Sequence, residues 1–280
     1  MYKSIDVGKL NIFQKLLFII KGKLVSYIIK HTNKKLFCIL MNTLFRKVGM
    51  LDYSNSYYSY TTKDRSIYFP NKRIVRHVNN YPNQLDILFK SYCLDFIQFT
   101  KNDVVVDCGA NIGELKIAFE IKKINIDYIA FEPDKETFEC LQLNLKGTNS
   151  KTFNLALHNS TGETSFYLDN EGGNSSLVNF GTKNQIIINT SRLDQIENLK
   201  DNVKLLKIDA EGNEPEVLEG CIGILKNIEY ISVDFGDERG VDQNTTIIDV
   251  NKFMYDNNFS LVKFSEYRLI GLYKNNFDGS

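Results

Sequence analysis

The sequence predicts an α/β fold built on a mostly parallel sheet with helices on both faces. Three observations carry that prediction. The first is the stretch VVVDCGANIGE, Val104 to Glu114, where an apolar run ends in Asp107 and passes through Gly109 and Gly113 into a helical pattern, ELKIAFEI. A short apolar run of this kind reads as a strand covered on both faces. The glycines mark a sharp turn, or a place where a ligand must come close to the main chain. The second observation is the alternation of strand-like and helix-like segments that follows, the pattern of β-α-β crossovers. The third is that Asp107, Glu132 and Asp209 all fall at carboxyl ends of predicted strands, which is where ligands bind in such sheets.

The elements follow in order. Residues 1–50 form a basic, amphipathic helical extension in which Gly22 and Asn33 are the expected breaks. Three readings of it stand side by side: helices packed on the main domain with solvated lysines outside, a segment docked on an anionic membrane surface, or a site for a partner protein. Residues 51–100 hold a Tyr/Thr/Ser-rich β-hairpin, Tyr53 to Phe69, whose tyrosines suit cross-strand packing. A helix opening at Pro82 and running toward Phe99 then leads into the core domain, residues 101–280. Within that domain the expected strands are the central one, 127–133, 150–158, 163–169, 203–209, 230–235 and a closing pair, 259–264 and 269–273. The expected helices start at Glu114, at Lys135 with Asp134 as N-cap, at Ser191, near Pro215 and at Thr245. The stretch NEGGNSSLVNFGTKN, 170–184, reads as loop.

Composition narrows the partners. The formal net charge of the 280 residues is zero. Residues 1–50 nevertheless carry ten Lys/Arg against one acid, Asp6, so the remaining 230 residues are as acidic as the front is basic. A neutral whole argues against nucleic-acid binding. The five cysteines are scattered without a C-x-x-C pair, so free thiols in a reducing cytosol are expected, not a zinc site or a disulfide framework. The first residues lack the layout of a signal peptide, and the run Leu16 to Ile20 is too short to span a bilayer. These features point to a cytoplasmic protein, with residues 9–50 as the segment that could meet the inner face of a membrane.

The glycine turn restricts the cofactor. A dinucleotide site wants G-x-G-x-x-G so that a pyrophosphate can lie on the helix N-terminus. Here the turn is G-A-N-I-G, Asn111 replaces the middle glycine, and Asp107 sits in the approach. A carboxylate there opposes a pyrophosphate and suits an ammonium or sulfonium group. Glu132, at the end of the next strand, can accept hydrogen bonds from both hydroxyls of a ribose. A cationic amino-acid part, a ribose and no phosphate together point to S-adenosyl-L-methionine. A nicotinamide oxidoreductase is disfavoured by the missing glycine.

At this point the sequence resembles the FkbM family of S-adenosylmethionine-dependent methyltransferases. The resemblance rests on VVVDCGANIGE, FEPD at 131–134, NLALHNSTGETSFYL at 154–168, the loop with Ser175-Ser176, SRLD at 191–194 and LLKIDAEGNEPEVLEG at 205–220. It covers roughly residues 100–235. It implies a Rossmann-like class I methyltransferase fold, seven strands, mostly parallel, with an antiparallel final strand. It also implies O-methylation of a sugar, glycan precursor or related small-molecule hydroxyl. Carried onto this chain, it puts Asp107, Gly109, Ala110, Asn111 and Gly113 at the amino-acid end of the cofactor and Glu132 on the ribose. Pro133 and Asp134 then shape the adenine side, with Ala156 and Leu157 against adenine or simply in the core. Cys108, and the stretch VDFGDERG after the fifth major strand, depart from the commoner family pattern.

Methyl transfer to oxygen needs alignment of donor and acceptor and removal of a hydroxyl proton. Asp209 and Glu211 are the candidates for base or acceptor-orienting group, against the alternative that they fix the loop before the Pro215 helix. Glu214 reads as a cap of that helix. Arg239 reads as holding an anionic group or pairing with Asp237 or Glu238. No metal-ligand spacing is present. A binding module that keeps the fold without catalysis is the alternative function.

Overall fold

The computed structural model describes residues 11–44, 49–78, 81–169, 175–197, 199 and 202–277. The chain divides into two units, Met1–Gln84 and Leu85–Ser280. In the first, helix α1 (Ile12–His31) opens on a capping box: Asn11 accepts from the backbone N–H of Gln14, and Gln14 accepts from that of Asn11. The helix runs through Gly22 without the expected break. A Cβ at Gly22 would meet nothing, and one glycine costs a helix only about 1 kcal/mol. Asn33 does separate α1 from α2 (Lys34–Leu44), its side chain accepting from the N–H of Leu36.

The expected hairpin is a three-stranded antiparallel meander, β1 (Met50–Ser54), β2 (Tyr57–Thr61) and β3 (Ser66–Phe69). The first turn is made by Asn55 and Ser56, both at positive φ (51° and 73°), as a two-residue hairpin loop requires. Tyr53 lies opposite Tyr58 in register, and Phe37 of α2 meets Tyr58 edge-on. These tyrosines therefore serve packing.

Helix α3 (Tyr81–Ser91) is shorter than expected. It stops before Cys93, which is left-handed (φ 58°), and a 3-10 turn, Leu94–Phe96, follows. The second unit holds the strands β4 (Asp103–Cys108), β5 (Ile126–Phe131), β6 (Ser150–Phe153), β10 (Val203–Ile208), β11 (Ile228–Asp234), β12 (Phe259–Phe264) and β13 (Ile270–Asn275). They form one sheet in the order β12-β13-β11-β10-β4-β5-β6. Neighbours are parallel from β11 to β6, while β13 is antiparallel to both β11 and β12. Helices α4 (Glu114–Ile121), α5 (Lys135–Asn144), α6 (Glu214–Glu219) and α7 (Ile247–Asp256) link these strands. A continuous core of Val106, Ile208, Val217, Leu218, Ile231 and Val233, among others, packs between sheet and helices.

Two expectations are corrected here. The strand expected at 150–158 splits: after β6 the chain leaves the sheet at Asn154, and β7 (Ala156–Leu157) pairs in parallel with β9 (Gln185–Ser191). Together with β8 (Gly162–Tyr167) they form a second, three-stranded sheet. Asn154 holds that break open by donating to the carbonyls of Glu132 and Pro133. Strand β9 was not expected, although Ile186, Ile187 and Ile188 are a β-branched run. The helix expected from Ser191 is a single 3-10 turn, Leu193–Gln195. Residues 170–174 of the expected loop lie outside the described residues.

Candidate active site

The site forms where β4, β5 and β10 end. In register, Asp107 lies beside Lys207 of β10 and Ala130 of β5, so those residues leave the sheet on one face, with Tyr128 two residues earlier on the same side. The result is a buried charge pair. Lys207 Nζ is 2.9 Å from Asp107 Oδ1, and the Tyr128 hydroxyl donates to Asp107 Oδ2. Lys207 Nζ also donates to the carbonyls of Cys108 (3.1 Å) and Gly109 (2.8 Å). Burial disfavours the charge on Lys207, but Asp107 and Asp209 outweigh it and its pKa is raised. Asp107 is 1% exposed. It lies beneath the turn, balancing the lysine that ties the turn down, and is not part of its open face.

The turn above is made of left-handed residues: Gly109 (φ 74°), Asn111 (φ 51°) and Gly113 (φ 87°). Gly109 has a second reason to lack a side chain. A Cβ there would lie 2.0 Å from the carbonyl oxygen of Asp209. The N–H of Asp209 donates to the Cys108 carbonyl, so the β4 turn and the β10 turn are in direct main-chain contact. Ala110 is buried, and its N–H donates to the Phe131 carbonyl.

Glu132 joins the turn to the second strand. Its Oε2 accepts from the N–H of Asn111 (2.9 Å) and its Oε1 from the N–H of Asp134 (3.0 Å). Burial raises its pKa to about 7, against the two backbone donors, which lower it. Each oxygen keeps a lone-pair direction for a further hydroxyl. Asp134 caps α5 by accepting from Thr137, and Pro133 lies between the two acids. Ala156 and Leu157 are both core residues, Leu157 in the main core and Ala156 in a small cluster with Phe166 and Ile188.

On the other side of the contact, acids gather. Asp209, Glu211 and Glu238 bring carboxylate oxygens within 4.8 Å of one another, a set able to hold a metal ion. Glu211 is itself left-handed (φ 52°). Burial and then the neighbouring Asp209 charge push the Glu211 pKa well up; burial likewise raises Glu238 and Asp234. Glu211 and Glu238 face one another within this cluster. Glu214 closes the turn: its Oε1 accepts from the N–H groups of Ala210 and Gly212 and its Oε2 from the Thr246 hydroxyl. Ser176, in the loop before β9, donates to the Glu211 carbonyl.

Tyr92 and Arg268 are functional-site residues that the sequence did not single out. The Tyr92 hydroxyl donates to Asp209 Oδ2. Its ring lies between Lys207 Nζ, 5.1 Å from the centroid, and the Arg268 guanidinium, 5.8 Å away. Burial holds its pKa well above 10, so it stays a donor. Arg268 pairs with Asp234 and lies 3.7 Å from Asp209. Lys207 sits inside the KIDAEG motif, and a lysine alternating with apolar residues in a predicted central strand was the available signal. Tyr92 and Arg268 offered none, because they lie 117 and 59 positions from Asp209 along the chain.

Arg239 pairs with Glu216 (2.6 Å) and donates to the Gly212 carbonyl, so it braces the turn; it does not pair with Asp237 or Glu238. His158 contacts Ser160, and His77 is buried against Phe69. No disulfide joins the cysteines, and all five are buried.

Residues 107–263, more than half of the chain, match the methyltransferase FkbM domain. The chain is 26% identical over 170 residues to methyltransferase sdnD of Sordaria araneosa, covering 48% of this chain and 66% of that protein. It is 30% identical over 148 residues to hexuronic acid methyltransferase AglP of Haloferax volcanii, covering 51% and 59%. It thus spans less than two thirds of the length of these relatives. Among solved structures, a SAM-dependent methyltransferase from Aquifex aeolicus aligns over 69% of this chain and 97% of its own, with 11% identity and a TM-score of 0.43.

Proposed function

The chain belongs to the FkbM methyltransferase family, and on that premise we propose that it transfers a methyl group from S-adenosyl-L-methionine to a hydroxyl on a sugar, glycan precursor or related small molecule. The observation that carries this reading is the main-chain contact between the Gly109 turn and Asp209. It brings a seat for the cofactor and a carboxylate within one small volume. The seat fits the cofactor's chemistry. Its turn, 107–114, contains no cationic side chain to hold a phosphate, and Glu132 offers acceptor lone pairs to a ribose diol.

Gly109, Ala110, Asn111 and Gly113 supply main chain to the amino-acid end, Glu132 holds the ribose, and Pro133 and Asp134 border the adenine. Asp107 acts through Lys207, by fixing the turn. Ala156 and Leu157 support the adenine side from the core. Bound there, the cofactor supplies an electrophilic methyl. Asp209 would take the hydroxyl proton as the acceptor's C–O bond forms and the donor's S–CH3 bond breaks to leave a neutral thioether. Glu211, beside Asp209 in the same cluster, is the acceptor-orienting group. The acceptor class is carried over from the hexuronic acid methyltransferase relative. The enzyme's setting on this reading is the cytoplasm, with residues 9–50 meeting the inner face of a membrane.

Radiolabelled methyl transfer from S-adenosylmethionine to a panel of uronic acids, neutral hexoses and glycan precursors tests the reading. Asp209→Asn is expected to lower transfer roughly 10²–10⁴-fold while cofactor binding by calorimetry stays near that of the parent. Undiminished transfer by this variant would remove Asp209 as the base. Cofactor binding without transfer to any acceptor would favour a non-catalytic binding module.

A further inference from the structure

Helix α1 contains 20 residues, of which Ile28 alone is buried. Its C-terminal end is fastened. Lys72 Nζ donates to the carbonyls of Ile29 and Thr32, each at 2.6 Å, and the Thr32 hydroxyl donates to the Ile28 carbonyl. Its N-terminal end is closed by the Asn11–Gln14 capping box. Between them the helix presents apolar side chains to solvent: Ile12 is 87% exposed, Phe13 73%, and Leu16 to Ile20 are all above 40%. Ile12, Leu16, Ile20 and Leu24 recur at every fourth position with Phe13 and Leu17 beside them, while Phe18 and Ile19 carry this apolar stripe round the helix past Lys23, so apolar and charged side chains are not segregated to opposite faces. A capped, anchored helix with an uncovered apolar stripe is built to be covered by something else.

Charge selects what covers it. Helix α1 carries Lys15, Lys21, Lys23 and Lys30 and no acid, and α2 adds Lys34 and Lys35. A second copy of the helix would bring the same positive charge to the contact. A surface of anionic phospholipid would bring the opposite one. The helix does not meet the length and hydropathy needed to cross a membrane. We propose that α1 lies in the surface of an anionic phospholipid bilayer, with the Ile12–Leu16–Ile20–Leu24 stripe among the upper acyl chains and the lysines reaching along their stems to the headgroups. This deepens the reading that residues 9–50 meet a membrane, and it does not depend on methyl transfer.

The chain contains no tryptophan, so Phe13→Trp in the full-length protein is a single fluorescent reporter within the stripe. Vesicles of phosphatidylcholine with phosphatidylserine, two to one, are expected to shift its emission to the blue, and vesicles of phosphatidylcholine alone are not. Tyr255→Trp, at a site 83% exposed on α7, is the control and should not shift. Replacing Lys15 or Lys21 by Gln should weaken vesicle binding roughly fivefold each. Leu16→Gln with Ile20→Gln should abolish it, with an unchanged thermal unfolding midpoint because both side chains are exposed. Four results would overturn the proposal. These are no shift with either vesicle, an equal shift with neutral vesicles, a shift without vesicles that grows with protein concentration (a second copy covering the stripe), and an equal shift in the control. The methyl-transfer assay reads out separately, so failure of either proposal leaves the other standing.

Discussion

The β4 turn and the β10 turn have the same outline and opposite electrostatics. Each leaves a strand of the central sheet, each holds one non-glycine residue in the left-handed region, Asn111 and Glu211, and each opens a helix. In the first, charge is matched. Lys207 meets Asp107, its remaining donors meet carbonyls, and Glu132 receives two backbone N–H groups. In the second, Asp209, Glu211, Asp234 and Glu238 gather together, and Arg268 pairs with Asp209 and Asp234. Burial and neighbouring charge raise the pKa values of Glu211, Asp234 and Glu238, so protonation is the route by which that turn approaches balance. A turn whose charges are closed can stay rigid and hold a cofactor. A turn whose balance runs through protons is suited to exchanging one with an acceptor.

The largest expected effect tests whether the first turn is truly closed. Lys207→Met strands the Asp107 carboxylate in the core and should cost roughly 3–5 kcal/mol by urea unfolding. Arg268→Met should cost less, about 1–2 kcal/mol, because that side chain is 40% exposed and its partners can take up protons instead. Equal losses at neutral pH would erase the distinction between the turns.

The next effect separates the two glycines. Gly109→Ala forces a Cβ to within 2.0 Å of a backbone oxygen at positive φ and should destabilise by roughly 2–4 kcal/mol. Gly113→Ala meets the ends of Leu141 and Leu145 side chains, which can move, and should cost about 1–2 kcal/mol. Reversal of that order would mean that the contact between the turns is not the tight point.

The smallest effect concerns Glu132, whose carboxyl burial raises to about 7. A raised carboxyl favours the fold while protonated. Its contribution is complete below the ordinary carboxylate range and is lost as pH rises through about 7. Urea midpoints across this window should therefore flatten in Glu132→Gln relative to the parent. An unchanged pH slope would assign the titration to Glu214, which burial also raises to about 7.

The legibility of these features follows their distance along the chain. The Gly109 turn, Glu132 and the Asp134 cap were readable because each is written in a few consecutive residues whose types have few other uses. Strand β9 was missed because its pattern, QIIINTS, sits between an expected loop and an expected helix and pairs with strands far away in sequence. The break at Asn154 was hidden for the same reason: the residue is ordinary until its amide meets the carbonyls of Glu132 and Pro133. Helix α1 was readable as a helix. Its sequence left open what its apolar side chains meet, because the spacing of apolar residues and lysines in a helix names no partner.

The sequence by itself determined the strands and helices of the main sheet, the glycine turn, and the carboxylates at strand ends, because period, turn chemistry and capping are local. The tertiary structure alone decided which charges meet. Asp107 reads in the sequence as a ligand for a cation, and in the fold its cation is Lys207, one strand away in register. Tyr92, Asp209 and Arg268 converge only because the sheet brings three distant segments to one edge of the site. Electrostatic pairing acts over a few ångströms of space, and spacing along the chain carries no record of it.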